Sequence, residues 1–579
     1  APDARPQYFA GDPRNDDPPQ VHQRFGEPDA TSFAGLLSAA KPVRGRIEAY
    51  GVAGYSVRRS VAADRWRTPS DDRTVRALFP DGLLPLIAPT LQDGSATAGL
   101  RGRLAGWGWD ASVGYARSTV HYTLEQTNNP SLGSEGPTRF DAGTLRSDAF
   151  STELHAGGRL RPGFIPPLSV ELGAEQRDEG YQIEAGEPDS YRFGAVPVLD
   201  GPHAGQLAPI GAQGFTAFRP GNAVIRRRGM LGTSGALSSV LFRRLTLGAA
   251  AGLEYYRSLG ATLVYTLRGE LAPLDGVALR GSWGTGARVP PLSQSWYSTT
   301  ATNLTGLIGL EDRTVPAADQ VGVLLGARRL QPERSTDLEL GGSVTRFKGV
   351  TLRADYYRIR VEHRVILSGT FKDPAVGSFL SQQGFPGIAA VRFFTNALTT
   401  RTSGIDARAS YRFRWREVGV EAAAGWSHHV THAVLSDSVP GLLAPFTSVL
   451  FDRTERARYE LGQPEDNLIV TGLAERRRWS LWARAQRAGA VSRFGPAADG
   501  SLDQRYGARW LADLALGYVP RPRLRVTLGA ENLLGTTPDR NRFGNAGVEG
   551  NSYFGTLPYP GISPFGFAGR RLFLRASWQ

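Results

Sequence analysis

The chain closes with GRRLFLRASWQ, residues 569–579, and the reading of this stretch decides the fold. In steps of two, Leu572, Leu574, Ala576 and Trp578 are apolar, while Arg571, Arg575, Ser577 and Gln579 fill most of the intervening places. Phe573 is the exception. Successive side chains of a strand project to opposite faces, so this segment has one greasy face and one wet face.

The same alternation returns along the chain. WGWDASVGY (107–115) sets Trp107, Trp109, Ala111, Val113 and Tyr115 on one side, and VTLRADYY (350–357) sets Val350, Leu352, Ala354 and Tyr356 against a face carrying Asp355. GIDARASYR (404–412) places Ile405, Ala407, Ala409 and Tyr411 opposite Asp406 and Arg408. WLADLALGY (510–518) and LRVTLGAEN (524–532) form a pair whose wet faces hold Asp513, Arg525 and Glu531. Several apolar rows begin or end in Trp or Tyr, which a bilayer interface selects. The strands of a soluble sandwich also alternate but are shorter, and they have less reason to end in aromatics.

Composition restricts the alternatives. With no Cys there is no disulfide, thiolate zinc site or Cys nucleophile. No run of about 18 apolar residues is present, so no transmembrane helix is expected. The remaining way to satisfy every backbone group in a bilayer is the closed β-barrel. A formal charge of +13 raises the question of nucleic acid, but the basic residues are nearly all Arg and the acidic ones are interleaved with them. An Arg-rich compositional bias, and beyond it phosphate-rich lipid, account for the charge, because Arg forks match phosphate oxygens. No nucleic-acid partner is expected.

Counting back from the C-terminus gives about nineteen strands, whose connections mostly alternate long with short. Short ones fall at 104–107, 242–245, 347–350, 415–418, 476–479 and 519–523. Long ones run roughly 61–94, 127–148, 188–227, 289–333, 368–399, 436–464, 491–507 and 535–567. Short turns on one rim and long loops on the other describe a bacterial outer-membrane barrel with its long loops outside. The expected class is therefore an all-β transmembrane antiparallel barrel over 31–579, preceded by an irregular extracellular segment, 1–30.

Five segments carry a family resemblance: LRGSWGTGARVPPLSQ (279–294), LQPERSTDLELG (330–341), TSGIDARASYRF (402–413), LGAENLLG (528–535) and AGRRLFLRASW (568–578). In this order they resemble the strands of TonB-dependent outer-membrane receptors. The resemblance implies a receptor that imports a scarce nutrient (an iron chelate, vitamin or glycan) captured by the outer loops. An N-terminal plug would block the lumen and receive force from the energy-coupling protein TonB. Outer-membrane lipid and the barrel-assembly machinery are its other implied partners, although Gln579 follows the aromatic residue on which the family usually ends.

Such receptors have about 22 strands around a plugged lumen, and Thr31–Ala40 would be the fourth. No plug is recognisable. The plug and first strands are expected on another polypeptide or outside a fragment, ahead of closure by a parallel seam as in the 19-stranded mitochondrial channel. Any export signal is likewise expected outside this sequence. The competing readings are a plugless passive pore and a soluble β-repeat adhesin.

Chemistry-bearing motifs are few. HHVTH offers His428, His429 and His432, but residues four apart on a strand are separated by about 13 Å, too far to share one ion. GTGARV at 284–289 is followed by no helix that could hold a phosphate. Neither an enzyme, a metal site nor a cofactor is expected. The Arg-x-Pro loop also resembles haem receptors, but without a companion motif haem is not supported. The expected ligand contacts are Arg288, Trp296 and Tyr297 in one long loop, and Tyr553, Phe554, Tyr559, Phe565 and Phe567 in NSYFGTLPYPGISPFGF. Asp355, Asp406, Arg408, Asp513, Arg525 and Glu531 are expected to line the lumen and to hydrogen-bond plug and water.

Overall fold

A computed structural model describes residues 8–17, 22–24, 28–163, 166–305, 308–435, 447–495, 497–542 and 558–578. Its first ten strands are β1 (Asp29–Arg44), β2 (Ile47–Ala63), β3 (Leu86–Leu104), β4 (Trp107–Glu125), β5 (Phe140–Leu160), β6 (Leu168–Glu184), β7 (Val224–Leu241), β8 (Leu245–Tyr256), β9 (Gly260–Leu274) and β10 (Val277–Arg288). A small hairpin follows, β11 (Thr299–Thr305) and β12 (Ile308–Val315). The wall resumes with β13 (Glu333–Val344), β14 (Val350–Leu367), β15 (Ile388–Trp415), β16 (Val418–Leu435), β17 (Asp466–Arg476) and β18 (Trp479–Ala488). After a second small hairpin, β19 (Val491–Arg493) and β20 (Gln504–Tyr506), it ends with β21 (Arg509–Arg521), β22 (Leu524–Glu531) and β23 (Arg571–Trp578).

The large sheet has 21 strands, two of which are the hairpin β11–β12. The other nineteen pair in succession as an antiparallel wall. Among the described residues β1 pairs only with β2, and β23 only with β22.

The register sorts each strand into two faces. In the last pairs Leu516 meets Leu528, which meets Leu574, so these three point one way, while Glu531 meets Arg571 on the other side. The first set lies open: Leu572 and Leu574 are each 72% exposed and Leu528 is 60% exposed. Leu352, Tyr356, Ile405, Tyr411, Trp510 and Leu516 are exposed in the same way. A continuous apolar belt of this size marks a surface that meets lipid, since soluble monomers keep such patches small. Aromatic rings bound the belt. Trp510 and Tyr518 lie eight residues apart on one face of β21, about 27 Å, close to the height of an outer-membrane apolar band. Tyr518 is paired with Trp479, with ring centroids 4.5 Å apart.

The inner rim is made mostly of tight turns. Ala105 and Gly106 between β3 and β4 both have positive φ, 51° and 87°, as a two-residue turn matching the strand twist requires. The outer rim carries the long connections, with one exception: β8 and β9 are joined by residues 257–259 alone.

The strands extend further outward than the apolar pattern indicated. β3 begins at Leu86, β5 at Phe140 and β15 at Ile388, shortening the expected loops 61–94, 127–148 and 368–399. Above the aromatic level both faces of a strand meet water, so the hydropathy alternation stops while the hydrogen-bonded ladder continues. Connection 289–332 is also more than a loop: β12 runs parallel to the outer part of β15, Val315 beside Phe393. Around this joint lies a hydrophobic core outside the belt, formed by Leu325, Phe371, Leu380, Val391, Phe393 and Leu398 among others. Where no helix was expected after GTGARV, the five-residue helix α1 (Leu292–Trp296) opens this connection; α2 (Gln320–Leu324) lies within it, and α3 (Pro374–Gln382) packs on β15.

Candidate ligand vestibule and lumen

The outer ends of β4, β6 and β7 meet the connections 185–223 and 289–332 in an aromatic cluster. Phe215 stacks on Tyr122 at 4.5 Å, and Phe218 stands edge-on to Tyr122 and, at 6.1 Å, to Tyr297. Tyr181, Ile183 and Leu292 complete it. Trp296 lies at its margin beneath the guanidinium of Arg226, 4.1 Å from the ring centre, a cation–π contact. Burial pushes the Tyr297 phenol above its ordinary range, with Tyr122 adding to the rise and Arg392 opposing it. Burial also lowers the pKa of Arg219, which Glu311 partly offsets. Arg219 donates to Thr302 at 2.8 Å, tying connection 185–223 to the β11–β12 hairpin.

Beneath the cluster a cavity of about 860 Å³ opens on the lumen side of β6 and β7. Arg177, Glu179, Tyr181, Arg228, Glu254 and Tyr256 line its wall. Arg228 donates to Glu179 at 2.6 Å and to the Pro290 carbonyl at 2.9 Å, and it also lies over the Tyr256 ring. The Tyr181 hydroxyl is buried with no hydrogen-bond partner among the described residues. None of these wall residues was singled out from the sequence, although Glu175, Arg177, Glu179 and Tyr181 alternate regularly along β6 and the alternation is a usable signal.

The residues expected to contact ligand are dispersed. Trp296 and Tyr297 join the cluster, whereas Arg288 stands at the end of β10, 3.2 Å from Glu333. In the last long connection Tyr559 and Phe567 stack with centroids 5.8 Å apart, Arg540 lies over Tyr559, and Phe565 is half-buried nearby in sequence. Tyr553 and Phe554 lie outside the described residues.

The expected lumen residues share the face opposite the apolar belt. Asp355 accepts from Arg280 and, at 2.8 Å, from Arg353. It stands opposite Asp406, as Arg353 stands opposite Arg408. Asp513 accepts from Arg484 Nε at 2.6 Å and from the Asn532 backbone at 2.7 Å. Glu531 pairs with Arg571 at 2.6 Å, and Arg525 lies opposite Ser577. The wall thus answers part of its own charge. His428 pairs with Asp466 at 3.0 Å on the outward face, which His432 shares, while the register turns His429 inward.

A wall of this kind, apolar toward lipid and charged within, with long loops on one rim, is an outer-membrane β-barrel. Residues 46–533 match the family model described as TonB dependent receptor-like, beta-barrel, and the chain belongs to that family. It is a receptor and transporter barrel of the bacterial outer membrane. Among solved structures it is similar to the siderophore receptor PirA from Acinetobacter baumannii, at 11% identity and a TM-score of 0.61, covering 96% of this chain and 71% of that one. The ferric enterobactin receptor PfeA from Pseudomonas aeruginosa gives 12%, 0.62, 96% and 71%. The FrpB iron transporter from Neisseria meningitidis gives 13%, 0.57, 95% and 73%. No curated protein matches the chain.

Proposed function

We propose that this barrel takes up a scarce nutrient across the outer membrane, and that an anionic aromatic iron chelate is its best candidate among iron chelates, vitamins and glycans. The observation that carries the reading is the cavity beneath the aromatic cluster, lined by Arg177, Arg228 and Tyr181, whose buried hydroxyl has no hydrogen-bond partner among the described residues. Arg177 and Arg228 share Glu179, and an anionic chelate would have to compete with that carboxylate for their guanidinium groups, while aromatic rings stack on its planar arms. The similarity to siderophore and iron receptors supports the same class. Uptake would be powered by TonB through a plug seated in the lumen, against the charged rows around Asp355 and Asp513. Trp296, Tyr559, Phe565 and Phe567 would contact the ligand on entry, together with Tyr553 and Phe554.

The test is quenching of tryptophan fluorescence by a ferric tris-catecholate in detergent. Wild type is expected to quench saturably, with affinity reduced about tenfold in Tyr181→Phe, the size expected from losing one hydrogen bond to a charged ligand. Saturable quenching by neutral sugars but not by the chelate would overturn the choice of class. A large steady conductance from the complete receptor, with a plug present, would instead favour a passive pore.

A further inference from the structure

Just outside the apolar belt, the register of β13 to β16 brings basic side chains together on the outward face. Arg360 stands directly opposite Arg401, which stands opposite His432. Arg358 lies one outward step below Arg360 and one above Tyr356, a spacing of about 7 Å each. On the neighbouring strand Arg334 is paired with Glu362 in the ladder, on the same face. Arg334, Arg358, Arg401 and His432 are exposed. The only ion pair in this group among the described residues joins Arg360 to Glu362 at 2.6 Å.

Like charges directly opposite one another weaken a sheet, so the arrangement calls for a counter-charge. Elsewhere on the outward face the wall supplies its own: Arg59 pairs with Glu125 at 2.8 Å, Arg146 with Glu184 at 3.1 Å, and Arg227 with Asp148 at 3.4 Å. Here four arginines share one carboxylate. The patch sits immediately above Tyr356, Ile405 and Trp426, whose exposed side chains mark the edge of the hydrocarbon. In a membrane the layer at that height is the headgroup layer, and arginine forks bind phosphate oxygens in pairs.

We propose that Arg358, Arg360 and Arg401, flanked by Arg334 and His432, bind the phosphate groups of outer-leaflet lipid headgroups. The lipid supplies the charge that the sheet lacks and fixes the depth and rotation of this side of the barrel. The site is independent of the vestibule and of the transported ligand.

The experiment uses the full chain in nonionic detergent with bisphosphorylated lipid A, compared with the same lipid stripped of phosphate, and counts bound lipid by native mass spectrometry. Wild type is expected to prefer the phosphorylated lipid at least about tenfold, the scale of one charge-assisted hydrogen bond. Arg358→Gln/Arg360→Gln/Arg401→Gln is expected to lose the preference, while Arg59→Gln/Arg227→Gln keeps it. A stability readout guards against misfolding: Arg401→Gln should melt higher than wild type in lipid-free detergent and lower when lipid A is present. Equal binding of both lipids, an unchanged preference in the triple variant, or displacement of lipid A by millimolar inorganic phosphate would each overturn the proposal. So would a lower melting temperature of Arg401→Gln in both conditions.

Discussion

Phe573 lies across Gly529 on the lumen side of the final hairpin, where the two are ladder partners. A Cβ on residue 529 would run into the Phe573 ring and approach the Leu514 carbonyl oxygen to 3.1 Å. The one apolar residue that breaks the alternation of the last strand is therefore the lid of a glycine gap. Gly529→Val is expected to destabilise the barrel by about 1–3 kcal/mol, the usual cost of overpacking. Gly472→Ala, where the added carbon meets nothing within 4 Å, should be near neutral. Urea unfolding in lipid vesicles measures both.

The two faces of β22 should respond oppositely to charge. Leu528→Arg places a guanidinium in the middle of the belt and is expected to cost about 2–4 kcal/mol. Thr527→Arg, one residue away on the lumen face, should cost little. A similar cost for both would show that the two sides of this strand meet the same environment.

The core above the belt should fail without the barrel. Phe393 and Phe371 are each 1% exposed, with ring centroids 5.7 Å apart. Phe393→Ala is expected to destabilise this outer core by about 3–5 kcal/mol. Protease should then cut connections 289–332 and 368–387, while the folded barrel keeps its heat-modifiable mobility on gels.

Acid should loosen one outer connection in a defined direction. Arg453, in the helix α4 (Arg453–Glu460), donates to Asp503 at 2.8 and 2.7 Å, and the Gly495 N–H donates at 3.0 Å. The bond from Arg453 holds the Asp503 carboxyl below its ordinary value, with burial opposing weakly. Because the folded pKa is depressed, the contribution is fully present above the unfolded value and is lost as pH falls through the folded one. Proteolysis of connection 489–508 by an acid-active protease should stay slow from about pH 5 down to the ordinary carboxylate range of about 4, and accelerate below it. Asp503→Asn should remove the step.

How much of this was legible beforehand follows from where water and lipid meet the strands. Within the belt every second residue faces hydrocarbon, so Leu572, Leu574 and Trp578, or Ile405 and Tyr411, could be assigned to a face directly. Above the belt the contrast vanishes, and the outer parts of β3, β5 and β15 could not be told from loop. The hairpin β11–β12 was missed for a related reason: its partner is the far end of β15, distant in sequence. Trp296 is an expected ligand contact by its place in a long loop, but nothing in its own segment announces Arg226, which reaches it from β7. The opposed pair Arg360 and Arg401 is invisible until the register is known, since each alone is an ordinary polar residue at a strand end.

β15 runs unbroken for 28 residues, about 90 Å at ordinary strand rise, from the joint with β12 down to the inner rim. It is a mast rather than a hinge. The extracellular cap paired to it through β12 is therefore held in one orientation relative to the wall. Any opening and shutting of the mouth has to fall to other parts of the rim.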